Sequence, residues 1–200
     1  MIIPNRARVR YAPSPTGEPH LGNIRTAIFD WLLARHTNGK FIIRVEDTDQ
    51  SRIVDGAIDL QKDSLKWLGL DWDEGLGKDG PFGPYVQSER LDYYNAAIES
   101  LLQTRDAYKC YCTEERLEKL REGQRRQKLS RLGYDGKCRG LSEKESEELA
   151  SSADSSVIRF AMPTGGITEI EDLVRGRIEF ENTLVDDFII LKADGFPTYH

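Results

Sequence analysis

The stretch from residue 7 to residue 68 reads strand, helix, strand, helix, and nothing else in the chain restricts its fold so tightly. Ala7-Arg-Val-Arg-Tyr-Ala12 has the composition of a short strand and runs into a loop punctuated by Pro13, Pro15, Gly17 and Pro19. From Leu21 the apolar positions Leu21, Ile24, Ile28, Trp31 and Leu32 follow helical spacing, and Asn38-Gly39 closes the pattern. Phe41-Ile-Ile-Arg-Val45 predicts a second strand. Helical spacing then returns at Ile53, Ala57, Leu60, Ser64, Trp67 and Leu68. Strands alternating with helices build βαβ units, so this half is predicted to be α/β with a parallel sheet.

After Gly69 the texture changes. Residues 73–84 are predicted loop and 91–102 an amphipathic helix. Beyond them come Cys110-Tyr-Cys112, a charged helix, an irregular polar stretch, and β-like segments at 156–161 and 167–180. Phe188-Ile-Ile-Leu-Lys192 reads as a buried strand. The division expected from this is a sheet-forming domain at 1–106, an inserted α+β domain at 107–185, and the start of the returning sheet domain at 186–200. Parallel sheets are covered by helices on both faces. Because the last strand has no helix after it, the second half of the sheet domain is expected beyond residue 200.

Charge is uneven along the chain. Its 28 Lys+Arg and 34 Asp+Glu leave a formal net charge of −6, which argues weakly against nucleic acid. Residues 113–140, however, hold nine basic side chains against five acidic ones, and 141–154 reverse the balance. A solvated helix face followed by a polar loop explains this, and so does a basic patch that meets phosphates. Composition does not choose between them. No apolar run approaches the roughly 20 residues of a membrane span. The start lacks a signal-peptide pattern, and three cysteines do not make a disulfide framework. A cytoplasmic protein is expected.

Two nucleotide motifs fail on context. Gly75-Leu-Gly77-Lys-Asp-Gly80 matches G-x-G-x-x-G by letter, but it follows no clear strand and meets Pro81 instead of a helix. Gly17-Glu-Pro-His-Leu-Gly22 has P-loop spacing, yet Asn23-Ile24 stand where Lys and Ser/Thr are needed. The same stretch still joins a strand to a helix, and helix N-termini favour anions. His20 sits at that N-terminus, where a lone histidine is more often structural than a ligand.

Ala12-Pro-Ser-Pro-Thr-Gly-Glu-Pro-His-Leu-Gly22 resembles the first signature ("HIGH") of class I aminoacyl-tRNA synthetases in its glutamyl form. Phe41-Ile-Ile-Arg-Val-Glu-Asp-Thr-Asp49 is similar to the second strand of the glutamyl/glutaminyl group. Gly83-Pro-Tyr-Val-Gln-Ser-Glu-Arg90 and Asp194-Gly-Phe-Pro-Thr-Tyr-His200 resemble two further stretches of that family, so the likeness runs over almost the whole chain.

The resemblance implies a Rossmann-like catalytic domain with an inserted acceptor-stem-binding domain. It also implies glutamate–tRNA ligase activity with L-glutamate, ATP with Mg²⁺, and tRNA-Glu as partners, in a monomer with no membrane contact. By motif position, Arg10, Ala12, Ser14, Glu46 and Tyr199 match the glutamate-binding set. Thr16, His20 and Gly22 match ATP contacts, with His20 and Gly22 in the catalytic signature. These residue types suit the chemistry: an ammonium needs a carboxylate such as Glu46 at a strand end, and a carboxylate needs a planar fork such as Arg10. Read without the family, Arg10 is one of three alternating arginines in surface ion pairs, and Glu46-Asp47-Asp49 is a solvated turn.

Two departures stand out. The family's Lys-containing signature loop ("KMSKS") and anticodon domain are not among these 200 residues, so the chain alone is expected to be inactive. Some members bind zinc with C-x-C and a later C-x-H, but here the later element is Cys138-Arg139-Gly140. Tyr134, four positions before Cys138, offers a fourth ligand beside Cys110, Cys112 and Cys138, as in the shorter paralogue that glutamylates a modified base of tRNA-Asp. That paralogue is one alternative function. A non-catalytic module that binds an amino acid or tRNA is the other.

Overall fold

The computed structural model describes residues 5–129 and 132–198, and the chain divides into two compact units between Asp92 and Tyr93. Tyr199, one of the residues matched to glutamate binding, lies outside the described residues.

In the first unit, β1 (Arg8–Tyr11) pairs in parallel with β2 (Lys40–Ile43), and α1 (Leu21–His36) makes the crossover between them. Isolated parallel bridges, Ile42 to Glu74 and Val45 to Val86, carry the ladder past β2. α2 (Ala57–Trp67) completes the unit. Tyr11, Ala27, Ala34, Phe41, Ile43, Leu65, Leu70 and Trp72 form its core. The expected βαβ order is therefore present, and Ile24, Ile28 and Trp31 of α1 pack on the core as their spacing predicts, but the fully buried positions differ from the apolar ones. In α1 the buried positions are Ala27 and Ala34, while Leu21 is 84% exposed. In α2 they are Ala57, Gln61 and Leu65, Trp67 is 85% exposed, and Ile53 falls before the helix. Small side chains let a helix lie close over strands, and Gln61 is buried because its Oε1 accepts the Tyr11 hydroxyl at 3.0 Å.

Gly75 and Gly77 both take positive φ, and a Cβ at Gly75 would collide with the Ile43 carbonyl. The glycine letters there serve a turn packed against β2, as their context suggested.

The second unit holds α3 (Leu91–Gln103) from Tyr93 onward, β3 (Ala107–Cys110), α4 (Glu114–Arg126), α5 (Glu143–Ser152), β4 (Val157–Phe160), β5 (Ile167–Asp172), β6 (Gly176–Glu181) and β7 (Ile189–Leu191). β3, β4 and β7 form an antiparallel sheet in that order, and β5 and β6 form a separate hairpin. Its core is small: Ile98, Ala107 and Ile158, with Leu101, Leu102, Ile190 and Leu191 packed around them.

Two expectations need correction here. The polar stretch read as a loop contains α5, started by a capping box in which the Glu145 amide donates to Ser142 Oγ at 3.3 Å and Glu145 Oε2 accepts the Ser142 amide at 2.8 Å. The strand at 188–192 is half-buried, because β7 is the last strand of its sheet and meets only a single bridge, Leu191 to Pro197, on the side away from β4. No helix among the described residues is long and apolar enough to cross a membrane.

Candidate functional site

Parallel pairing of β1 with β2 sends both chain segments out at the same sheet end. There the Arg44 amide donates to the Tyr11 carbonyl (3.1 Å) and the Glu46 amide to that of Pro13 (2.9 Å). This run of backbone bonds lays the loop bearing Ala12, Ser14 and Thr16, all half-buried, alongside Glu46.

Glu46 is the centre of the arrangement. Its side chain is 2% exposed, and its Oε1 accepts Arg10 Nη1 at 2.7 Å and Arg44 Nε at 2.9 Å. Glu46 Oε2 is buried with no hydrogen-bond partner among the described residues. A buried carboxylate oxygen left unpaired is costly, which marks it as an acceptor for a further donor. Arg10 is half-exposed, so part of its guanidinium remains open beyond the pair. The neighbouring arginine behaves differently: Arg8 is spent on Glu74 through two bonds of 2.7 and 2.9 Å and stacks on Phe82. That pairing, with the Tyr85 hydroxyl also donating to Glu74, holds the Glu74 carboxyl below the usual range. Arg44 was missed in the sequence. It stands two positions before Glu46, and a side chain at i−2 on an extended segment shares its partner's face.

His20 caps α1, and its Nδ1 accepts the Gly22 amide at 3.1 Å. In the neutral ring the proton is then on Nε2, which is left as a donor at the exposed helix end. Gly22 is required by this cap, since a Cβ there would come within 2.9 Å of the imidazole Cε1. The first turn of α1 contains no acidic residue, whereas α2, α3, α4 and α5 each carry one or two. The positive end of α1 is thus not answered by a carboxylate in its own first turn.

The second unit brings together all four residues of the expected metal set. Tyr134 Oη lies 3.4 Å from Cys110 Sγ and 3.6 Å from Cys112 Sγ, and Cys112 Sγ lies 3.7 Å from Cys138 Sγ. The three sulfurs all fall within 4.8 Å of one another. The Cys138 amide donates to Tyr134 Oη at 2.9 Å. Burial drives the Cys112 thiol up to about 11 and the Tyr134 hydroxyl well above the phenol range. For Cys110, burial is outweighed by bonds from Tyr134 and the Cys112 amide and by the positive charge of Arg159, which bring its thiol below the ordinary value.

In the basic segment, Arg116 pairs with Asp135, and Arg126 with Glu122 at 3.5 Å, while Lys119, Arg121 and Arg125 are exposed. Arg131 lies outside the described residues.

Comparison with known proteins gives one consistent result. The family model for class I tRNA synthetases (E and Q), catalytic domain, matches residues 6–200. A glutamate–tRNA ligase of Dehalococcoides mccartyi (strain CBDB1) is 56% identical over 198 residues, which is 98% of this chain and 39% of that protein. The ligase of Bacillus subtilis (strain 168) is 51% identical over 197 residues, 98% of this chain and 40% of its own. The crystal structure of a glutamate tRNA ligase from Elizabethkingia meningosepticum, in complex with its amino acid, superposes with a TM-score of 0.87 at 39% identity. It covers 98% of this chain and 40% of that one. The chain spans about two fifths of the length of the relatives it matches.

Proposed function

The chain belongs to the class I (E and Q) tRNA synthetase catalytic-domain family, and from that premise we propose that it supplies the glutamate- and ATP-binding half of a glutamate–tRNA ligase. In the first step an α-carboxylate oxygen of glutamate bonds to the α-phosphorus of ATP, and pyrophosphate leaves. In the second, a hydroxyl of the terminal tRNA ribose attacks the acyl carbon, and AMP leaves. Neither step uses a protein nucleophile, so the chain acts by positioning and charge.

Glu46 Oε2 would accept the substrate ammonium, which is the donor that this buried oxygen lacks. Ala12 and Ser14 border that position, and Tyr199 joins the set by its motif. The open part of the Arg10 fork would take a substrate carboxylate. Thr16, His20 and Gly22 would meet ATP at the start of α1. The observation that carries this reading is that α1, alone among α1–α5, leaves its first turn free of acidic residues while presenting a histidine N–H there. Mg²⁺ would neutralise phosphate charge.

Residues 107–185, which lie within the second unit, are read as the inserted tRNA acceptor-stem-binding domain, with the exposed face of α4 toward phosphates. The cysteine cluster fits zinc. Sulfur ligands at about 2.3 Å and an oxygen at about 2.0 Å in a tetrahedron stand roughly 3.4–3.8 Å apart, and the contacts of 3.4, 3.6 and 3.7 Å are of that size. Cys110, Cys112, Tyr134 and Cys138 would hold the ion as a closed structural site that pins the unit.

ATP–pyrophosphate exchange with glutamate and tRNA-Glu present tests the reading. His20→Ala should lower kcat by about a hundredfold and change the KM for ATP much less, because its N–H meets charge that develops during transfer. A change confined to KM would make His20 a binding or structural residue. These rates are measured on the complete protein that carries this chain, and no glutamate-dependent exchange by its unaltered form would overturn the reading itself.

A further inference from the structure

Arg159 on β4 is 5% exposed, and its charge is not matched in the way that its neighbours' charges are. Arg139 Nη1 pairs with the Asp187 carboxylate at 3.0 Å, and Arg116 pairs with Asp135. The Asp187 carboxylate is further occupied by the Tyr108 hydroxyl at 2.6 Å and the Met162 amide at 3.0 Å. Asp186 accepts the Tyr134 amide at 2.7 Å and has other partners besides. Arg159 Nη1 donates only to a carbonyl, that of Asp187, at 2.7 Å. Its Nε is buried without an acceptor, and its guanidinium makes no salt bridge among the described residues.

That guanidinium instead faces the cysteine cluster. Its central carbon lies 4.0 Å from the centroid of the Tyr134 ring, and its positive charge favours the ionised form of the Cys110 thiol. A buried cation is expensive unless an anion accompanies it. The cluster becomes that anion when it holds a divalent ion: three thiolates and a phenolate together outweigh the metal's charge by two, where an imidazole as fourth ligand would leave an excess of one. A phenolate in that place therefore calls for one more nearby positive charge than an imidazole does.

Resting on the metal-site reading above, we infer that Arg159 is the resident counter-charge of the cluster, and the group that permits Tyr134, instead of a neutral ligand, to complete it. Arg159 acts through the ligands and does not itself coordinate, so it is a positioning residue of the metal site. Its partner is a divalent, thiophilic cation held by Cys110, Cys112, Tyr134 and Cys138.

Competition for zinc against a chromophoric chelator at neutral pH, using the complete protein, decides this. Arg159→Met should weaken zinc binding about 10–100-fold, while Arg159→Lys, which keeps the charge, should weaken it by less than about fivefold. In a Tyr134→His background the same Arg159→Met change should matter by less than about threefold, because the fourth ligand no longer brings a charge. Unchanged affinity in Arg159→Met, with zinc tight in the parent, would overturn the counter-charge and leave the zinc site standing. Equal losses in the parent and in the Tyr134→His background, or equal losses for Lys and Met, would assign the effect to packing and overturn it too. If Arg159→Met does not fold, Arg159→Lys against Arg159→Gln carries the same contrast. A parent protein that binds no zinc would bring down the metal reading and this inference together.

Discussion

In the first unit eight buried side chains, from Tyr11 to Trp72, pack into one apolar cluster, whereas the corresponding cluster of the second unit has three, Ile98, Ala107 and Ile158. What joins the elements of the second unit is largely polar. The Asp187 carboxylate gathers Tyr108, Arg139 and Met162, and the cysteine–tyrosine cluster ties the end of β3 to the loop around Cys138. Where the apolar core is small, bonds of this kind carry more of what holds the elements together. The difference also sorts the two sites. Among the described residues Glu46 keeps one carboxylate oxygen without a partner, while the residues of the second cluster are turned toward one another.

The largest effect that this contrast predicts is on the second unit. Cys112→Ser should lower zinc affinity by at least about a hundredfold and reduce the melting temperature of that unit, leaving the first unit's transition in place. Calorimetry with and without chelator measures both transitions. A single transition that moves as a whole would end the distinction between them.

Next comes Arg10→Ala, which should raise the KM for glutamate about 10- to 100-fold. That factor is set below the one for a fully buried pair because Arg10 is half-exposed. The KM for ATP and the second unit's transition should stay nearly unchanged, while the first unit's transition should fall somewhat, because buried Glu46 then keeps Arg44 alone of its two paired arginines. Initial rates of pyrophosphate exchange at varied glutamate would check this, and an unaltered glutamate KM would remove Arg10 from the site.

The smallest effect sharpens the picture of the first unit. Burial, only partly opposed by Arg10, raises the Asp30 carboxyl from 3.8 to about 6. Between those values the folded form holds more protons than the unfolded one, so this group lowers stability as pH rises from about 4 to 6. Asp30→Asn should therefore stabilise the first unit by about 1 kcal/mol at pH 7, after allowance for partial solvent screening, and by almost nothing at pH 4. Denaturant titrations at the two pH values compare these. A gain of equal size at both would place its origin elsewhere.

The parallel βαβ order was legible because strand and helix periods alternate cleanly from Ala7 to Leu68 and Gly and Pro mark the breaks. The phase of α1 was legible too, since Ile24, Ile28 and Trp31 pack on the core. The phase of α2 was not: apolar spacing points to Leu60 and Trp67, yet both are exposed, and the buried positions include Gln61, whose burial depends on the distant Tyr11 hydroxyl. The first turn of α5 did carry a readable signal: Ser142-Glu143-Lys144-Glu145 is a capping-box pattern hidden inside an acidic run. At the candidate sites, motif position singled out Arg10 and Glu46 and all four cluster residues, but the ion pair between Arg10 and Glu46 is visible only in the structure. Arg44 carried one local signal, its i−2 alternation with Glu46 on an extended segment. Arg159 carried none, because nothing local distinguishes a buried, committed arginine from a solvated one until Tyr134 has been placed beside it.

The cap on α1 has a consequence for how this stretch tolerates change over time. His20 lies across the helix start in space that position 22, having no side chain, leaves open, and a Cβ there would come within 2.9 Å of its Cε1. An aliphatic residue at 20 would leave the exposed Gly22 amide to water. A side chain at 22, by contrast, would push the imidazole aside, so a change at the glycine is felt first in where the histidine points.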